Sequence, residues 1–191
     1  MTSLATAQQS TQQALTAARH LAAAGEAHQY LTFQLSGEMY AVGILNVKEI
    51  IEYGQLTEIP MMPAFIRGVI NLRGAVVPVV DLAARFGHTQ SEIGKRTCIV
   101  IVEVRQEDSR HDLGIMVDAV SEVLEIPGSE IEPAPSFGAK IRADFIAGMG
   151  KVAGKFVILL DIQRVLSVDE MAVLANVAPA AEGAASVAAA H

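Results

Sequence analysis

The sequence predicts a mainly β fold in which two small antiparallel barrels pack together. Three observations carry that prediction. Short runs of β-branched and other apolar residues recur along the chain, each bounded by Gly, Pro, Asn or Asp. The run of such segments returns once, with an offset of about 80 residues. Finally, 51% of the residues are apolar but only 5% are aromatic and none is Trp, so the core must be built of Val, Ile, Leu and Ala.

The repeat can be followed in residues. Phe65-Ile66-Arg67-Gly68 returns as Phe145-Ile146-Ala147-Gly148, and Val79-Val80-Asp81-Leu82 as Leu159-Leu160-Asp161-Ile162, with Phe86 and Leu166 as counterparts. Earlier on, Leu31–Leu35 resembles Ile99–Glu103, and Val47–Ile51 resembles Val120–Leu124. The chain therefore reads as two diverged copies of one β unit.

Taken in order, residues 1–28 are rich in Ala, Thr and Gln and are expected to be a mobile extension; Thr11–Ala24 is a marginal helix with little to bury. Tyr30–Leu35 and Met39–Val42 read as strands joined by Ser36-Gly37-Glu38. Ile44, Val47, Ile50 and Ile51 sit at helix-compatible spacing, yet Gly43 and Gly54 leave room for one turn plus a strand. Pro60–Pro63 is an irregular loop. A hairpin follows over Phe65–Leu82, with Asn71-Leu72-Arg73-Gly74 at its tip. Gly74 supplies the positive φ that closes it, and Pro78, lacking an N–H, argues for an edge or bulged position. Asp81 can cap the turn Leu82–Phe86, which Gly87 stops.

The second copy opens with strand Cys98–Val104, a charged turn from Arg105 to Asp112, and strand Leu113–Val117. Val120–Ile126 mirrors the Val47 segment, Pro127–Gly138 is a loop, and Ile158–Ile162 closes the unit. Ser167-Val168-Asp169-Glu170 is a capping box opening a C-terminal helix through Asn176. The folded part is thus expected over 29–177, the first barrel mainly 39–96 and the second mainly 97–165, with strand exchange possible at 29–36. Residues 178–191 form an Ala-rich tail expected to be disordered.

Composition narrows the function. A net charge of −7 and a pI near 5.2 argue against nucleic acid, whose phosphates draw on Lys and Arg. One cysteine excludes an internal disulfide and any cysteine cage for a metal. The single cysteine fits a reducing cytoplasm, the expected location; no run is long enough to cross a bilayer as a helix, and no signal peptide is evident.

The sequence carries no catalytic signature. There is no Walker A loop, no Gly-x-Gly-x-x-Gly and no His-Glu-x-x-His. His20, His28 and His191 lie in the tails, and His88 and His111 in turns, so spacing implies no metal site and no cofactor. Cys98 opens an apolar strand and is better read as a packed small hydrophobe than as a nucleophile. Asp81 and Asp161 occupy the same place in each copy, which favours capping over acid–base work. Met61 and Met62 suit either loop packing or an adaptable binding lip.

Arg73 stands apart. It has no counterpart in the second copy, where Gly150–Gly154 replaces the tip, and Asn71 and Gly68 lie beside it. An exposed arginine without a role is the plain alternative. Its planar fork and long stem, however, suit recognition of a partner, and Glu49 offers it an opposite charge.

These residues carry a resemblance. The chain resembles the CheW-like coupling proteins of bacterial chemotaxis from about Gln29 to Ala175. The likeness rests on Tyr30–Leu35, Glu38–Ile44, Val47–Ile50, Pro63–Gly74, Val77–Leu82, Leu113–Asp118, Pro133–Phe137 and Phe145–Gly148. Its most specific part is the stretch from Phe65 to Gly74. The resemblance implies two five-stranded barrels about a shared apolar seam, and no catalysis. It implies partners too: the cytoplasmic tip of methyl-accepting chemoreceptors and the regulatory domain of the histidine kinase CheA, met at membrane-bound receptor arrays. Carried over by position, the receptor groove would include Val47, Glu49, Ile50, Gly68, Asn71, Arg73, Ile99 and Val117, its apolar members gripping a receptor helix while Glu49 and Arg73 set its register. The kinase contacts cannot be assigned by position. A coupling protein of a twitching-motility or surface-sensing pathway would look nearly the same. A ligand-binding or hydrolytic barrel pair is disfavoured, because these positions are mostly apolar and lack convergent polar groups.

Overall fold

The computed structural model describes residues 9–16, 28–89, 91–133, 145–166 and residue 170. The expected C-terminal helix and tail, the second half of the Pro127–Gly138 loop and most of the N-terminal extension lie outside the described residues.

Eleven strands account for most of the rest. They are β1 (Gln29–Leu35), β2 (Glu38–Gly43), β3 (Val47–Glu52), β4 (Ile66–Leu72), β5 (Ala75–Asp81), β6 (Cys98–Gln106), β7 (Ser109–Val117), β8 (Ala119–Glu125), β9 (Ile131–Glu132), β10 (Ile146–Val152) and β11 (Lys155–Leu160). Helix α1 covers residues 9–16 and α2 covers Leu82–Arg85. Ile44–Asn46 makes a single 3-10 turn before β3, so the ambiguous Ile44–Ile51 segment resolves as one turn plus a strand. The charged turn shrinks to Glu107-Asp108. β6 and β7 run on through Arg105, Gln106 and Ser109–Asp112 as the end of a hairpin that projects past the β3 pairing at Val102 and the β5 pairing at Gly114, where polar side chains can stay in water.

The strands form a six-stranded sheet in the order β8-β1-β2-β11-β10-β9 and a five-stranded sheet in the order β3-β6-β7-β5-β4. Each sheet draws on both copies of the repeat. The hairpin β1–β2 belongs to the first copy but lies between β8 and β11 of the second; β6–β7 of the second lies between β3 and β5 of the first. The exchange expected at 29–36 is therefore reciprocal and larger: residues 38–43 leave the first unit and 98–117 leave the second. Two of the new neighbours run parallel, β2 with β11 and β5 with β7, so the sheets are not purely antiparallel. One sheet also has six strands where five were expected, because the short β9 pairs with β10. Hairpins are local, and their residues say nothing of which sheet they will join.

Alternation along the strands then creates three cores. The largest lies between the sheets and takes Leu31, Phe33, Leu35, Tyr40 and Val42 from one and Val47, Ile50, Val100, Val102, Leu113, Ile115 and Val117 from the other. Each sheet curls around a smaller cluster on its far face: Ile70, Val77, Val79, Ile99, Ile101 and Met116 in one, Ala41, Ile126, Val157 and Leu159 in the other. This is a barrel pair about a common seam.

Aromatic rings cross that seam. Phe33 meets Tyr40 at 6.1 Å between centroids, Tyr40 meets Phe86 at 5.9 Å, and Phe86 meets Phe145 at 5.7 Å. Each such pair adds about 0.5–1.5 kcal/mol beyond the burial of its area. Arg85 lies over the rings of Phe65 and Phe145, at 4.9 and 5.0 Å, and its Nε donates to the Val165 carbonyl, tying α2 of the first copy to the end of the second. Asp81 is the capping residue its position predicted. Wholly buried, it accepts from Ala83 N, Ala84 N, Ser91 N, Ser91 Oγ and Arg67 Nε, while Asp161 does the simpler equivalent with Gln163 N. Pro78 sits on an interior strand just before the Val79–Asp81 pairing with β7 begins, so its missing N–H removes no bond from that ladder.

Tyr40 gives this seam a pH signature. Burial first, then the Glu38 carboxylate, to which its hydroxyl donates at 3.4 Å, raise its pKa from 10.0 to about 12. The neutral phenol is thus the form the fold prefers. Its contribution is complete below pH 10 and is lost as pH rises toward 12. A difference titration of phenolate absorbance between wild type and Tyr40→Phe is expected to show ionisation near pH 12, and the stability gap between the two proteins should hold constant to pH 10 and narrow above it.

Candidate functional site

The β4–β5 hairpin ends in a two-residue turn. Leu72 pairs with Ala75, and Arg73 and Gly74 both have positive φ, at 52° and 86°. Such a turn matches the right-handed twist of its strands. Asn71 steadies it by accepting the Gly74 N–H at its Oδ1, 2.9 Å away. The same backbone recurs at Ser36-Gly37 and at Ala153-Gly154, the counterpart in the second copy. An alanine therefore serves the turn as well as Arg73 does, and the arginine side chain owes its presence to something else.

That side chain is 76% exposed, and its Nη1 lies 2.7 Å from Glu49 Oε2 on β3. β3 and β4 are the two outer strands of the five-stranded sheet, so this ion pair spans the gap where the sheet curls to meet itself. Beside it, Thr57 and Val69 exchange two backbone hydrogen bonds of 2.9 Å. At this exposure the Arg73–Glu49 pair contributes at most about 1 kcal/mol. Its value is positional: an exposed guanidinium is held at a fixed place on the rim by a carboxylate that is itself mostly covered, at 18% exposure.

Gly68 explains itself structurally. It follows the bulge in β4 with φ +147°, and a Cβ there would come within 2.4 Å of the Thr57 carbonyl oxygen. The close approach of the Thr57 strand needs a residue without a side chain.

The remaining predicted site residues do not share one surface. Val47 and Val117 are fully buried in the inter-sheet core, and Ile50 nearly so. Ile99 is fully buried on the opposite face of its sheet, among Ile70, Val77 and Met116. These four side chains therefore lie inside the packed strands, on two different faces of the sheet, rather than along one exposed surface. In this conformation they hold the strands from within, and Glu49, Asn71 and Arg73 form the accessible part. The physical reason is the period of a strand: Val100 and Val102 face the seam, so Ile99 and Ile101 must face away. The Glu49–Arg73 pairing proposed from charge alone is present.

Helix α1 adds a neighbour that no sequence pattern signals. Leu15 of α1 is only 1% exposed and belongs to the inter-sheet core, while Gln12 Nε2 donates to the Ile50 carbonyl at 2.7 Å. The expectation that this stretch buries little fails for residues 9–16. A single leucine among Ala, Thr and Gln leaves no hydrophobic period to read. Met61, by contrast, is 99% exposed at φ 64°, so it does not pack its loop.

For chemistry, the site offers recognition. Cys98 has its thiol pKa raised by burial first and then by Glu52, the opposite of what a nucleophile needs. No three His, Cys, Asp or Glu among the described residues could hold a metal ion, and no helix among them is long and apolar enough to cross a membrane.

Comparison with known proteins agrees with this architecture. Residues 29–170 match the CheW-like domain family. The chemotaxis protein CheW of Klebsiella aerogenes is 38% identical over 150 residues, covering 78% of this chain and 88% of that protein. That of Bacillus subtilis is 33% identical over 136 residues, covering 71% and 85%. The crystal structure of the scaffolding protein TtCheW from Thermoanaerobacter tengcongensis superposes with a TM-score of 0.68 at 35% identity, covering 75% of this chain and 90% of that one.

Two substitutions separate scaffold from surface. Gly68→Ala should cost about 2–4 kcal/mol, through strain and loss of the Thr57–Val69 bonds. Arg73→Ala should cost no more than about 1 kcal/mol. Urea unfolding of both variants beside wild type measures the contrast, and equal losses would contradict it.

Proposed function

The chain belongs to the CheW-like domain family, and from that membership we propose that it is a non-catalytic adaptor coupling methyl-accepting chemoreceptors to the histidine kinase CheA. The observation that carries the receptor half of this reading is Arg73. It is exposed on a hairpin tip whose geometry does not require it, it is absent from the other copy, and it is paired across the rim with Glu49. The exposed Arg73 guanidinium can swing to a partner's carboxylate without unfolding the tip, and Glu49 stays in place to receive a partner's cation. Asn71 fixes the tip, and Val47, Ile50 and Val117 make the floor beneath β3 rigid. A receptor helix would lie along this rim, its polar side chains exchanging with the Glu49–Arg73 pair.

The kinase half rests on family membership and on the two-barrel shape, since one barrel pair can meet another end to end. In this reading the protein works in the cytoplasm, gathered beneath a receptor array, and needs neither cofactor nor metal.

A titration of the purified chain with the CheA regulatory domain and, separately, with a soluble receptor cytoplasmic fragment tests the proposal. Wild type should bind both. Arg73→Ala and Glu49→Arg should each weaken the receptor at least about fivefold and leave the kinase domain within about twofold, as expected of rim charges. A folded wild type that binds neither partner would overturn the reading.

A further inference from the structure

The seat beside β3 already holds a helix. Leu15 of α1 enters the inter-sheet core with Val47, Ile50 and Val117, and Gln12 donates its side-chain amide to the Ile50 carbonyl. β3 is an outer strand paired, among the described residues, with β6 alone, so a carbonyl on its other side is open to a side-chain donor. Gln12 and Leu15 are three residues apart and therefore lie on one face of α1, while Gln9, Ser10, Gln13, Ala14 and Thr16 are exposed. Among its described residues, 9–16, the helix commits one large apolar side chain, Leu15. Ser10, Thr11 and Thr16 are weaker helix formers than Ala, so the helix leans on its seat at Leu15 and Gln12 and can leave it. It also lies outside residues 29–170, the part the family shares.

We propose that α1 is an intramolecular occupant of a helix-docking seat on β3, and that a receptor helix must displace it to bind. The inference rests on the receptor-coupling reading and deepens it in two ways. It assigns a recognition pattern: a partner helix that fits presents a side-chain amide or hydroxyl donor at one position and a branched apolar side chain three residues later, as Gln12 and Leu15 do. It also assigns a regulation, because the fraction of chains with α1 undocked sets the apparent affinity for the partner. The covering of an outer strand against self-association is the alternative use of the same helix, and it predicts no competition.

The test uses the full chain, a soluble receptor cytoplasmic fragment, and the variants Leu15→Asp and Gln12→Ala. Calorimetric titration should show tighter receptor binding, on the order of fivefold for Leu15→Asp and about twofold for Gln12→Ala, as expected when an occluding state is depopulated. In the wild-type chain, amide exchange of residues 9–16 should speed up when the fragment is added. Should Leu15→Asp lose its fold by circular dichroism, Gln12→Ala and the wild-type exchange decide the matter. Receptor affinity that is unchanged or weakened in folded variants, or exchange that slows on binding, overturns the displacement while leaving receptor coupling intact. A folded wild type and folded variants that all fail to bind the fragment overturn both.

Discussion

Neither copy of the repeat can close its own barrel, and most of the structure follows from that constraint. The hairpin β1–β2 finds its neighbours in β8 and β11, and β6–β7 finds its own in β3 and β5. The two parallel pairings, β2 with β11 and β5 with β7, are where the copies are joined. A chain arranged this way has no half that can fold while the other waits, since each sheet is incomplete until both copies are present. The inter-sheet core is accordingly the largest of the three, and the aromatic ladder and Arg85 both run across it. The far-face clusters are small because each needs only to fill the inside of one curled sheet.

Much of this was legible, and the parts that were not share a cause. Strand positions, turn residues and the caps at Asp81 and Asp161 follow from local signals: alternation, glycine at positive φ, a carboxylate before a turn; the shared seam is what the family resemblance implies. The exchange of hairpins is not local. Leu31–Leu35 would have the same alternating pattern in either sheet, and only its pairing with Val120–Leu124 decides. The site divides along the same line. The Glu49–Arg73 pair was visible as opposite charges with a repeat that made one of them optional. The burial of Val47, Ile99 and Val117 was not, because an apolar residue in a strand is equally suited to a groove and to a core. Leu15 was hidden for the opposite reason, a lone side chain that matters through where it goes.

A coupling protein must keep its shape while its contacts change, and the structure divides those demands between different residues. Gly68 and the Thr57–Val69 bonds hold the rim, and Asp81 with Arg67 and Ser91 holds the segment behind it through a buried network. None of these groups has anything to offer a partner, since their polar atoms are committed within the chain. Arg73 is the reverse case, a strong donor on a rigid tip whose present partner is worth little in water. Rigid backbone keeps the entropic cost of binding low, and a weak internal pair keeps the electrostatic cost low. Stability and recognition are separable here because the repeat supplied two equivalent hairpin tips. The fold needs only the turn at each, and Ala153 shows how little that turn requires. The tip carrying Arg73 was left free to diverge without putting the seam at risk, and the proposed receptor contact makes use of that freedom.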